Sequence, residues 1–188
     1  LCTALKQIEI PQSVTKIGNE SFNGCAYLTE ILIPQNVKSI GSLAFKNCYS
    51  LKEIEIPSLI THIEESTFDG CSSLEKIEIP SSVIQINDFA FNSCLSLTKI
   101  NIPSSVISIG KNSFRFCKSL KQITLYDSTI IDDYAFKSCL SLETIEFIQS
   151  NDTSHDKIIG KYAFSSCTSL KNINIPLCIK SIEEGAFQ

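Results

Sequence analysis

Residues 25–48 read CAYLTEILIPQNVKSIGSLAFKNC, and this stretch recurs along the chain. Its skeleton is Cys25, Leu28, Ile31, Ile33, Pro34, Val37, Ile40, Gly41 and Phe45, and Cys48 opens the next copy. In-phase cysteines fall at Cys2, Cys25, Cys48, Cys71, Cys94, Cys117, Cys139 and Cys167, with spacings of 23, 23, 23, 23, 23, 22 and 28. A leucine follows each cysteine by three residues and an isoleucine by six, and all six prolines share one phase. Each copy closes on a phenylalanine: Phe22, Phe45, Phe68, Phe91, Phe114, Phe136, Phe164 and Phe187. A repeat of this length is one supersecondary unit that cannot bury its apolar face alone, so it predicts stacked coils sharing a continuous core.

Within a copy, Leu28-x-x-Ile31-x-Ile33 alternates as a half-buried strand does. The proline that follows has no N–H and ends the ladder. Val37 and Ile40 then face inward from the opposite wall. Gly18, Gly41, Gly110 and Gly160 follow that isoleucine, where a turn with positive φ is expected. Glu64, Asn87, Asp132 and Glu183 take the same place elsewhere. The small residue before each phenylalanine, such as Ala44 or Ala90, points to a crowded corner.

The eight in-phase cysteines read as a column of small buried hydrophobes. In-register strands stack ~4.8 Å apart with parallel Cβ vectors, which suits disulfide geometry poorly. The C-x-x-C pairs and histidine partners of a zinc site are missing. Cys178 is out of phase and is expected to be exposed and reactive.

With 188 residues the chain reads as one solenoid domain, residues 1–188, of about eight coils. It begins and ends inside a copy, so the register predicts a fragment of a longer array whose ends allow end-to-end self-association. The net charge is −4 with the lysines spread out, which is no nucleic-acid footprint. The apolar runs are too short to cross a membrane. Two N-x-[ST] sequons begin at Asn19 and Asn151, and Asn151 is the more plausible acceptor in a secreted protein.

Two surfaces are candidate partner sites. One is the solvent side of the first strand of each coil, expected to form the concave face: Glu30, Leu32, Glu53, Glu55, Lys76, Glu78 and Lys99. It is polar, of mixed sign and free of aromatics. Glu55 and Glu78 should lie one above the other at ~4.8 Å, close to the carboxylate separation of a retaining glycosidase. Two solvated side chains on an open sheet explain the pair without a reaction. The other candidate is an aromatic ridge at the position two before the repeat phenylalanine: Phe89, Tyr134 and Tyr162, with Leu43 in an earlier coil and Tyr27, Tyr49 and Phe116 near the same corner. Such aromatics serve either edge packing between coils or partner contact.

Coil six, from Cys117, is one residue short and has Tyr126 in place of proline, so its Asp127–Ser128 segment should turn more tightly. Coil seven, from Cys139, is five residues longer, with the surplus in residues 149–156, an edge that is either tolerated decoration or a binding loop. His62 and His155 lie in unrelated phases and build no catalytic arrangement. No catalytic, cofactor or metal residue is predicted.

Residues 50–57, SLKEIEIP, together with residues 36–48, NVKSIGSLAFKNC, resemble the BspA-like class of leucine-rich repeats along the whole chain. The resemblance implies a right-handed, β-rich solenoid with a parallel sheet on the concave wall and short strands on the other. It also implies a non-enzymatic, protein-binding surface or secreted protein, with roles in adhesion to host cells, matrix proteins or other microbes. The alternative is an intracellular interaction scaffold, favoured by unpaired cysteines. The family shares no active site, so no functional residue carries over.

Overall fold

A computed structural model describes residues 2–150 and 157–188. The described chain has strands, turns and no helix, and makes about seven full turns of a parallel β-solenoid. The expected count was about eight. On the first wall the strands begin at the third copy, and the first two copies are joined there by an isolated bridge, Glu9 to Leu32.

On the concave wall six strands stack in chain order: Glu53–Glu55, Lys76–Glu78, Lys99–Asn101, Gln122–Tyr126, Thr144–Ile148 and Asn172–Ile173. On the second wall His62–Ile63, Gln85–Ile86, Ser108–Ile109, Ile130–Ile131, Lys157–Ile159 and Ile179–Ile182 stack likewise, and Lys16–Ile17 pairs with Ser39–Ile40. All pairings are parallel.

Proline sets strand length. Where it is present, the first-wall strands run for two or three residues. In coils six and seven it is absent, and the strands run on for five, Gln122–Tyr126 and Thr144–Ile148, paired along their whole length. A missing N–H at the proline would have broken that ladder. The turn beyond it survives without proline: Thr129 N–H donates to Tyr126 C=O at 2.9 Å, just as Val106 does to Pro103 at 3.0 Å. The short coil therefore does not tighten at Asp127–Ser128. It loses its residue on the second wall, where Thr129-Ile130-Ile131 does the work of Val106-Ile107-Ser108-Ile109.

The core is one cluster running the length of the stack. Its spine is a ladder of phenylalanine rings, Phe22 to Phe187, whose successive centroids are 5.1 to 5.6 Å apart and nearly parallel. Each ring is held by its backbone, since the N–H of one phenylalanine donates to the carbonyl of the small residue before the next, as from Phe91 to Ser113 at 2.7 Å. Those small residues are buried at the corner. A second column runs beside it. Cys94 Sγ donates to Phe68 C=O at 3.3 Å and Cys117 Sγ to Phe91 C=O at 3.2 Å, a contact repeated from Cys48 to Cys167. Burial pushes these thiols up, Cys48 and Cys117 to about 12 and Cys167 to about 11.

Positive φ does not fall where expected. Gly18, Gly41, Gly110 and Gly160 are outside the left-handed region; the left-handed residues lie two before and two after each phenylalanine, for example Leu43 (57°) and Asn47 (59°) around Phe45. Gly41 is needed for a different reason. A Cβ there would sit 2.6 Å from the backbone nitrogen of Asn19 in the preceding coil, and Gly110 and Gly160 are equally crowded. The glycine lets one coil approach the next.

Candidate functional site

The alternation e-B-e of Glu53–Glu55 and Lys76–Glu78 turns every second side chain of the concave wall to solvent. Glu30, Leu32, Glu53, Glu55, Lys76, Glu78 and Lys99 are all exposed. The register arranges them in two rows along the stack. Glu53 lies beside Lys76 and Lys76 beside Lys99; Glu55 lies beside Glu78. Leu32 is bridged to Glu9 at the head of the second row and is 82% exposed.

These rows floor a groove of about 1190 Å³ that extends from Gln7 to Pro80. Its lining carries Glu9, Glu30, Glu53, Glu55 and Glu78 against Lys76, so the groove is acidic. The mixed sign of the wider face comes from Lys6, Lys52 and Lys99, which are exposed beyond the lining of the groove. Several carboxylates are held by polar neighbours. Gln7 Nε2 donates to Glu30, Gln35 Nε2 donates to Glu55 Oε1 at 2.7 Å, and Lys76 Nζ is 3.2 Å from Glu78 Oε1. Glu55 and Glu78 do stack in register. An amide meets one and an ammonium the other, and both carboxylates face solvent on an open sheet.

The aromatic ridge is split. Tyr134 and Tyr162 stack, centroids 5.3 Å apart and 11° between planes, with Lys137 Nζ 5.3 Å from each centroid. Tyr162 Oη donates to Glu184 Oε1 at 2.9 Å, and that bond holds its phenol above the ordinary value. Gly185 lies against the same ring, since a Cβ there would come within 2.3 Å of Tyr162 Cε1. Phe89 is not part of this stack, because Asn112 occupies the same phase in the coil between it and Tyr134. All three are half-buried, and all three have left-handed φ, from 54° to 60°. Nearby, Arg115 lies 4.5 Å over the Phe116 ring. Lys137, Lys161 and Glu184, which dress the tyrosine pair, carry no signal in the repeat pattern.

Cys178 is half-buried rather than exposed, and its Sγ donates to Asp127 C=O at 3.4 Å. The same Asp127 accepts a bond from Ser150 N–H at 2.8 Å through its carboxylate, tying coil six to coil seven. The rest of the insert, with Asn151 and His155, lies outside the described residues. Among the described residues no cluster of histidine, cysteine and carboxylate could hold a metal ion. Nor, among the described residues, is any helix long and apolar enough to cross a membrane.

The chain is similar in structure to the T. pallidum leucine-rich repeat protein TpLRR, at 28% identity and a TM-score of 0.81, over 89% of this chain and 78% of that one. It shares its fold with the pneumococcal vaccine antigen PcpA, at 18% identity and a TM-score of 0.54, over 94% of this chain and 57% of that one. No curated protein matches it. A family model described as a BspA type leucine rich repeat region, with six copies, matches residues 1–102, 38–158 and 84–188. The chain therefore belongs to the BspA type leucine-rich repeat family.

Proposed function

We propose that this chain is a non-enzymatic protein-binding module of a surface or secreted protein, acting in adhesion to another protein through its concave groove. Leucine-rich repeats generally bind proteins, and the family and its fold are typically non-enzymatic. The observation that carries the reading is the acidic groove of about 1190 Å³ with Leu32 at its head. It offers a broad polar face with one apolar anchor, which suits a protein segment better than a small molecule. Its carboxylates favour a partner segment rich in lysine or arginine. The aromatic ridge is the weaker candidate, because its rings are half-buried and spent on one another and on Lys137. The outside location draws support from the family and from a vaccine antigen with the same fold.

An intracellular scaffold is the second reading. The nine cysteines form no disulfide, as a reducing compartment would require. Burial protects seven of them in either compartment, so this favours the second reading only slightly. Antibody staining of intact against permeabilised source cells decides between the two. Signal on intact cells is expected; signal only after permeabilisation would make the scaffold reading primary.

A further inference from the structure

The concave groove has a shape as well as a charge. Its floor crosses four coils, from Gln7 to Pro80. One row along it is Gln7, Glu30, Glu53 and Lys76, and the other is Glu9, Leu32, Glu55 and Glu78. Bonds between coils hold the register. Thr29 N–H donates to Lys6 C=O at 3.1 Å and Lys52 N–H to Thr29 C=O at 3.4 Å, and Glu53–Glu55 pairs with Lys76–Glu78. Coils ~4.8 Å apart make a floor about 14 Å long, with its two rows about 7 Å apart. Because the backbone groups of the floor bond from coil to coil, a peptide lying on this face meets no free strand edge to extend. It meets side chains instead, mostly carboxylates, which accept hydrogen bonds and donate none. An extended segment would bring its carbonyls to a surface poor in donors, whereas an α-helix arrives with its backbone bonds already made within itself.

We propose that the occupant of the groove is a basic amphipathic α-helix of the partner protein, lying along the stack with one apolar side chain on Leu32; this rests on the reading of the groove as the binding surface. The size fits. A helix with its side chains is about 10–12 Å across, so a length of about 14 Å displaces about 1100–1600 Å³. The groove holds about 1190 Å³, which seats such a helix with its outer face in solvent. The spacing fits too. Residues i, i+3, i+4 and i+7 share one face of a helix, with neighbours about 5–6 Å apart, close to the step from coil to coil. A cation at i then lies over Glu9 and one at i+4 over Glu30. One at i+7 falls between Glu53 and Glu55, and an apolar residue at i+3 reaches Leu32, which is 82% exposed. The charge is free to be met at this end. Glu78 is tied to Lys76 at 3.2 Å, but among the described residues neither Glu9 nor Glu53 has an ion-pair partner.

Fluorescence anisotropy at low salt with two labelled peptides of about 14 residues tests this. The first is an alanine-rich helix with lysine at i, i+4 and i+7 and leucine at i+3. The second has the same charges and the same leucine, but a central proline breaks its helix. The helical peptide should bind at least about tenfold more tightly than the proline peptide and gain helical circular dichroism on binding. Leu32→Ser should weaken it about three- to tenfold at an unchanged melting temperature, and Glu53→Lys with Glu55→Lys should abolish binding. Equal affinity for the two peptides, still lost on charge reversal, overturns the helix and leaves the groove as the binding surface. A helical peptide that does not bind up to about millimolar concentration also overturns the helix alone, because capture of a protein partner by the charge-reversed groove is a separate measurement. Binding indifferent to charge reversal overturns the helix in the groove and counts against the groove itself.

Discussion

The rings of Phe91 and Phe114 lie parallel, 5.1 Å between centroids and 10° between planes, both with no exposed surface. Phe91 also stacks on Phe68 at 5.3 Å, so it has a ring neighbour on both faces. Phe91→Ala removes two stacking contacts and leaves a cavity that rigid backbone bonds on either side prevent from collapsing. We expect a loss of about 3–5 kcal/mol in a urea melt. A loss under about 1 kcal/mol would contradict the ladder.

Gly18 and Gly41 occupy one phase of the repeat yet have different neighbours. A Cβ on Gly18 meets only Ser21 Oγ at 3.5 Å, while one on Gly41 meets Asn19 backbone nitrogen at 2.6 Å. Gly41→Ala should cost about 1–3 kcal/mol from forced backbone shifts, and Gly18→Ala less than about 0.5 kcal/mol. Equal costs in thermal denaturation would show that the close approach of coils is not the reason for the glycine.

The cysteine column predicts a pH dependence. Cys48 and Cys117 move from an ordinary value of 9.0 to about 12, chiefly because burial disfavours the thiolate. The folded state thus holds its protons where the unfolded chain has released them. Stability from these groups is whole below about pH 9 and falls as pH rises from there toward 12. Urea midpoints at pH 8 and pH 10 should show the drop, and it should shrink in Cys71→Ser with Cys94→Ser. A drop of the same size in that variant would assign it to other groups. At pH 8 a thiol reagent should leave the buried column unmodified until the protein unfolds.

The repeat phase made the coil, its two walls, the phenylalanine ladder and the buried thiols readable, because each depends on one residue type at one spacing. What it hid depends on contacts between coils. Gly41 looks like a turn glycine until Asn19 is placed behind it. Tyr134 and Tyr162 look like exposed anchors until they are seen to share Lys137 and to stack. The acidity of the groove is likewise a matter of which lysines line it, and strand alternation alone does not tell.

The tyrosine pair gives a prediction opposite to that of a free surface. Tyr134→Ser with Tyr162→Ser breaks a ring stack, two cation–π contacts and the bond to Glu184, and should lower stability by about 1–3 kcal/mol. An unchanged melting temperature, with partner capture lost, would return the ridge to the front as the binding surface.

The most direct test of the groove is to compare partner capture by the wild type with capture by Glu53→Lys, Glu55→Lys and Glu78→Lys combined, at low and at raised salt. These positions are exposed, so the variant should melt within about 1 kcal/mol of the wild type. The account predicts that capture by the wild type weakens with salt and that the variant loses the partner. Capture that is indifferent to both charge reversal and salt would contradict a role for the concave groove.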